Sequence, residues 1–145
     1  MKRRASAVWM GGLKEGKGTV STETKVLNNT AYSFGSRFET GAGTNPEELV
    51  AAAHAGCFSM ALSGILTESG LTAEKIETQA TLTMEKLDVG WTVSEIHLDV
   101  VARVPKATPA IFGEAARKAE TGCPISRLLN CRITMDARLL LKEES

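Results

Sequence analysis

Three cysteines carry the reactive chemistry available to this 145-residue chain. Cys57 lies in Ala53-His54-Ala55-Gly56-Cys57-Phe58-Ser59-Met60, the least polar stretch of the sequence. A thiol there can act as a nucleophile or serve as a small apolar filler, since free cysteine is among the most buried residue types. Cys123 stands between Gly122 and Pro124, which sets its sulfur at a predicted helix start. Unpaired N–H groups and the helix dipole favour a thiolate at such a place, although a cysteine can also simply occupy a cap position. Cys131 falls in register with the apolar face of a predicted strand and is expected to fill core. Cys57 and Cys123 are 66 residues apart, too far for a C-x-x-C motif, so spacing alone does not pair them.

Arg37 ends the aromatic run Tyr32-Ser33-Phe34-Gly35-Ser36-Arg37-Phe38. A guanidinium in that setting can receive an anion in a pocket or remain solvated. Glu47 and Glu48 suit the negative-charge preference of a helix N-terminus. His54 and Cys57, at i and i+3, share one helix face, but no second closely spaced pair completes a zinc set and no metal is expected. His97 falls on the polar face of a strand with Glu95 and Asp99, as a solvated residue.

These groups need a scaffold, and the patterning supplies one. Ala5–Met10 and Gly18–Lys25 are predicted strands joined through a Gly11–Lys17 turn region, with a third strand within Ala31–Phe38. Asn45-Pro46-Glu47-Glu48 then opens a helix, with Asn45 as N-cap and Glu48 placed as in a capping box. That helix runs to about Glu68 and ends near Gly70. Ile76, Thr78, Ala80, Leu82 and Met84 alternate with polar residues. After the Asp88-Val89-Gly90 turn, Ile96, Leu98, Val100, Ala102 and Val104 do the same, which defines a hairpin with one wet side. Thr108-Pro109 starts a helix to Gly122, Cys123-Pro124 a shorter one through Leu129, and Cys131–Leu139 closes as a strand. The order βββ-α-ββ-αα-β, with antiparallel strands and segregated helices, gives the α+β class in a single domain over 1–145.

Seventeen basic and seventeen acidic residues leave a formal charge of zero. A general binder of nucleic acid or of anionic membranes would carry a basic excess, so neither partner is expected. Leu49–Thr67 is nineteen residues without a charge. Its His54, serines, glycines and alanines make it a poor membrane span and a better buried core helix. Met1–Arg4 is basic, but Trp9–Lys17 is glycine-rich and charged where a secretory signal needs an apolar run. Three cysteines cannot all pair within the chain, and the expectation is a reduced, cytoplasmic protein. No G-x-S-x-G, phosphate-binding glycine loop or H-E-x-x-H is present, which sets aside several hydrolase, nucleotide and metalloprotease classes.

Five segments together resemble a known family. They are Gly18-Thr-Val-Ser-Thr-Glu23, Arg37-Phe38, Gly43-Thr-Asn-Pro-Glu-Glu-Leu49, Ala53-His-Ala-Gly-Cys-Phe-Ser-Met-Ala-Leu62 and Gly122-Cys-Pro-Ile-Ser126. In order and spacing, over nearly the whole chain, they are similar to the osmotically inducible protein C (OsmC) family and its organic hydroperoxide resistance (Ohr) relatives. The Ohr branch places an arginine in the early glycine loop. This chain has Gly11-Gly12-Leu13-Lys14 there, which favours the OsmC branch.

The resemblance implies a thiol-dependent peroxidase that acts on organic hydroperoxides in oxidative and osmotic stress. It implies an intertwined homodimer, with strands wrapped around two central helices and active sites at the subunit boundary. By motif, Cys57 matches the peroxidatic cysteine, Cys123 the resolving cysteine, Glu47 the glutamate of N-P-E and Arg37 the arginine preceding the long helix. A dithiol reductant of lipoyl type is implied, and no cofactor.

The residues suit that chemistry. Arg37 can stabilise a thiolate and a departing alkoxide, and a carboxylate such as Glu47 can hold its planar fork. Phe34, Phe58 and Met60 suit a greasy peroxide. Ten residues of straight helix, however, separate Glu47 from Cys57 by about 15 Å and turn them roughly 80° apart. They meet only through Arg37, through a bend near Gly56, or with help from a partner subunit. The competing expectation is a non-catalytic module that binds hydrophobic ligands or senses redox state through the same pocket.

Overall fold

The computed structural model describes residues 1–141, which form two compact units divided after Leu49. In the first unit, β1 (Ala5–Met10), β2 (Lys17–Thr22) and β3 (Thr30–Tyr32) make an antiparallel sheet in the order β1-β2-β3. The third strand is shorter than Ala31–Phe38 because Ser33 stops it. The Ser33 hydroxyl accepts from the Ser36 N–H, while the Ser36 hydroxyl accepts from the Ser33 N–H. This reciprocal capping box turns Phe34–Phe38 into a short helix, α1. It adds one helix to the expected order.

The helix α2, Pro46–Glu68, is unbroken. Asn45 caps it as expected, its Oδ1 accepting from the Glu48 N–H at 2.7 Å. The Glu48 carboxylate does not close a capping box and instead accepts from the Thr44 hydroxyl. By length and composition α2 could cross a membrane. His54, Phe58, Leu62 and Leu66, four apart along one face, are nevertheless buried in the core of the second unit.

That second unit is built on β4 (Lys75–Leu87), β5 (Gly90–Arg103) and β6 (Arg132–Leu139), in the order β4-β5-β6. β4 and β5 form the expected hairpin, and Gly90 takes the positive φ that its turn requires. A register shift at Thr83/Met84 leaves Ser94 as an extra residue. Val93 and Ile96 consequently both pack on the core despite their odd spacing. β6 corrects the expectation of purely antiparallel pairing, because it lies parallel to β5. α3 (Pro109–Gly122) and α4 (Pro124–Leu128) carry the chain back between them, the crossover that a parallel neighbour needs. Phe58, Leu62 and Leu66 of α2 and Phe112, Ala115 and Ala116 of α3 cover the apolar face of this sheet, and Cys131 packs against the edge of that cluster.

Candidate active site

Cys57 and Cys123 meet. Their sulfurs stand 2.8 Å apart within the second unit and share a hydrogen bond. α2 presents Cys57 one turn after His54. Cys123 serves at once as C-cap of α3 and N-cap of α4, a corner imposed by Gly122 and Pro124. The two thiols differ in access: Cys57 is half-buried, whereas Cys123 is fully buried. They also differ in acidity. Burial and the hydrogen bond with Cys123 push the Cys57 thiol up. Burial acts on Cys123 the same way, but it is outweighed by the hydrogen bond with Cys57 and by the N–H and hydroxyl of Ser126. The net direction for Cys123 is down. In the hydrogen bond between them the Cys123 thiol donates to the Cys57 sulfur. Cys131 is a separate free thiol, raised by burial.

A hydrogen bond that the sequence did not suggest joins the same two helices. His54 Nε2 and Ser126 Oγ lie 2.7 Å apart, both buried. His54 Nδ1 is buried without a partner, and burial lowers the imidazole pKa. The available signal was symmetrical: His54 stands three before Cys57, and Ser126 three after Cys123. His54 is therefore turned to Ser126 rather than toward a metal shared with Cys57.

The first unit holds Arg37 and Glu47 together. Arg37 Nε and Nη2 donate to the two oxygens of Glu47 at 2.9 and 3.1 Å, a bidentate pair. Arg37 closes α1 and its guanidinium also lies over the Phe38 ring. Asn45 holds the two helices in register, donating from Nδ2 to the Ser36 carbonyl while capping α2. Phe34, Phe38, Tyr32 and Trp9 line a groove of about 270 Å³ that Arg37 borders.

Of the three expected substrate contacts, Phe58 and Met60 stand on different sides of α2. Phe34 is in that groove, Phe58 is fully buried in the core of the second unit, and Met60, nearly opposite Phe58 on α2, is 80% exposed. His97 is not merely solvated. Its Nδ1 pairs with Thr134 Oγ1 at 2.6 Å, and its Nε2 lies 3.2 Å from carboxylate oxygens of both Asp99 and Asp136. His97, Asp99 and Asp136 could gather around a cation by distance alone.

Fold and site together define an α+β protein built around a pair of contacting, unbridged cysteines. The profile of the OsmC-like protein family matches residues 39–138. A protein named Peroxiredoxin OsmC from Escherichia coli is 47% identical over 137 residues, covering 94% of this chain and 96% of that one. The chain belongs to the OsmC-like family. Among solved structures, an OsmC-like protein of unknown function from Vibrio cholerae superposes with a TM-score of 0.76 at 16% identity, covering 94% of this chain and 99% of that one. An organic hydroperoxide resistance protein OsmC from Legionella pneumophila gives 0.67 at 20% identity, covering 95% and 97%. At those identities the likeness is one of fold.

Proposed function

We propose that this protein is a peroxidase that reduces organic hydroperoxides to alcohols with Cys57 as peroxidatic and Cys123 as resolving cysteine. The observation that carries this reading is two unbridged sulfurs at 2.8 Å, of which only Cys57 is open to an incoming peroxide. The 47%-identical relative named as a peroxiredoxin supports it.

The Cys57 thiolate attacks the peroxide, the O–O bond breaks, and the sulfur becomes a sulfenic acid as an alkoxide leaves. The Cys123 sulfur then displaces the sulfenic oxygen as hydroxide and forms the disulfide. Two thiols and one peroxide yield one disulfide, one alcohol and one water, the thiol protons ending on the two oxygens. A dithiol of lipoyl type returns the pair to the reduced state.

By its match to the family motif, Arg37 is assigned the positive charge that stabilises a thiolate and the leaving alkoxide. Glu47 occupies two of its five N–H donors and so fixes the fork's direction. The aromatic groove beside Arg37, with Phe34, favours an apolar peroxide body.

The whole chain acts as one OsmC-like domain in a homodimer, with the site completed at the subunit boundary and the protein in the cytoplasm. What supports the dimer is α2. Its face carrying Ala53, Gly56, Met60 and Gly64 is exposed in the single chain, and a Cβ added at Gly56 or Gly64 would meet nothing within 4 Å. The test is peroxide consumption. With excess dithiol, each subunit should consume many equivalents of cumene hydroperoxide. Oxidation of one equivalent followed by arrest would identify a redox sensor instead.

A further inference from the structure

The mechanism above leaves one buried polar contact unused. His54 and Ser126 are both buried, their side chains meet at 2.7 Å, and each stands one helical turn from one of the paired cysteines. Ser126 also faces Cys123, its N–H reaching the sulfur at 3.5 Å. A hydroxyl has a single proton to donate. If His54 Nε2–H donates to Ser126 Oγ, that proton is left free for the Cys123 sulfur, which the Ser126 side chain also hydrogen-bonds. The same tautomer leaves the buried, unpartnered Nδ1 as a bare lone pair rather than an orphaned N–H, the less costly of the two.

We infer that His54 and Ser126 are positioning residues for the resolving step. They form a buried relay that aims the Ser126 hydroxyl proton at Cys123 and keeps that sulfur docked against Cys57 as the nucleophile. Only a thiolate attacks the sulfenic acid, so the relay sets how fast the disulfide closes. The downward direction of the Cys123 pKa, with Ser126 among its causes, agrees. Cys57 and His54, both on α2, are the titratable groups that meet α4 here. Glu120, one turn before Cys123 on α3, is half-buried with its carboxyl raised by burial, and Arg127 on α4 is exposed.

The consequence for turnover rests on the peroxidase reading, but a first measurement does not. In a Cys57→Ser, Cys131→Ser background Cys123 is the sole thiol, and its thiolate absorbance at 240 nm reads its ionisation directly. Ser126→Ala and His54→Phe should each lower the thiolate-to-thiol ratio about tenfold at fixed pH, equivalent to one unit. Ser126→Thr and His54→Gln, which keep a donor in place, should retain it. In the otherwise native chain, the first pair should slow disulfide closure after one equivalent of peroxide by a similar factor without slowing the formation of sulfenic acid. Mere packing would give the opposite order, tolerating Ser126→Ala and suffering from the bulkier threonine. Native ionisation and closure in Ser126→Ala would overturn the inference. A Ser126-dependent thiolate in a protein without peroxide turnover would retract the peroxidase reading and leave the relay standing.

Discussion

Cys57 and Phe58 are neighbours on α2 and meet opposite surroundings, which separates chemistry from packing at single-residue resolution. Phe58 is fully buried among the apolar residues of the second unit. Its truncation to alanine should therefore cost about 3–5 kcal/mol of stability, measured by urea denaturation. A change in peroxide affinity with unaltered stability would instead make it a substrate contact. His54 gives a second residue-scale test, through pH. Burial holds its pKa below the ordinary imidazole value of 6.5, so protonation favours the unfolded chain. The stability that His54 contributes is complete above about pH 6.5 and is lost as pH falls toward the lowered folded value. Wild-type stability should decline below that point more steeply than that of His54→Phe, in paired melts across pH 5–8. Parallel curves would contradict a buried neutral imidazole.

At the scale of elements, what could be seen in the sequence depended on how local the cause was. The β4–β5 hairpin, the α2 start at Asn45 and the Cys123 corner were all legible, because alternation, an N-cap and a Gly-Cys-Pro break act within a few residues. The α1 turn was missed, since its aromatic run matched a strand and the deciding Ser33–Ser36 pair carries no apolar period. The parallel pairing of β6 was missed because register across a crossover is set by where α3 and α4 deliver the chain. The same holds at the site: the cysteine motifs are local in sequence, whereas the His54–Ser126 contact joins residues 72 positions apart and is set by the packing of α4 against α2. Asn45 now has a double duty, capping α2 and holding the Ser36 carbonyl. Asn45→Ala should lose about 1–2 kcal/mol, seen as a lower thermal midpoint, and loosen the Arg37–Glu47 pair. An unchanged midpoint would mean neither bond matters.

The molecule as a whole has apolar surface that a single chain leaves uncovered. Met60 on α2 is 80% exposed, and Val8 and Met10, on one face of β1, are 57% and 69% exposed. A closed two-fold dimer would cover such faces, and sedimentation at micromolar concentration should give about twice the chain mass. In such a dimer Gly56 would set how closely the two copies approach. In an isolated helix, Gly56→Ala would stabilise by about 0.5–1 kcal/mol; against a tightly apposed partner it should weaken the dimer. A stabilised, active monomer would remove the shared-site proposal.

The central claim is that Cys57 alone cleaves the peroxide and Cys123 alone resolves it, and single-turnover analysis of the two serine variants tests it most directly. After one equivalent of cumene hydroperoxide, the native chain should yield one alcohol and a Cys57–Cys123 disulfide on peptide mapping. Cys123→Ser should yield the alcohol with Cys57 trapped as sulfenic acid, and Cys57→Ser should yield neither, an alcohol side chain being unable to supply the anionic nucleophile. Peroxide cleavage at the native rate in Cys57→Ser would contradict the account.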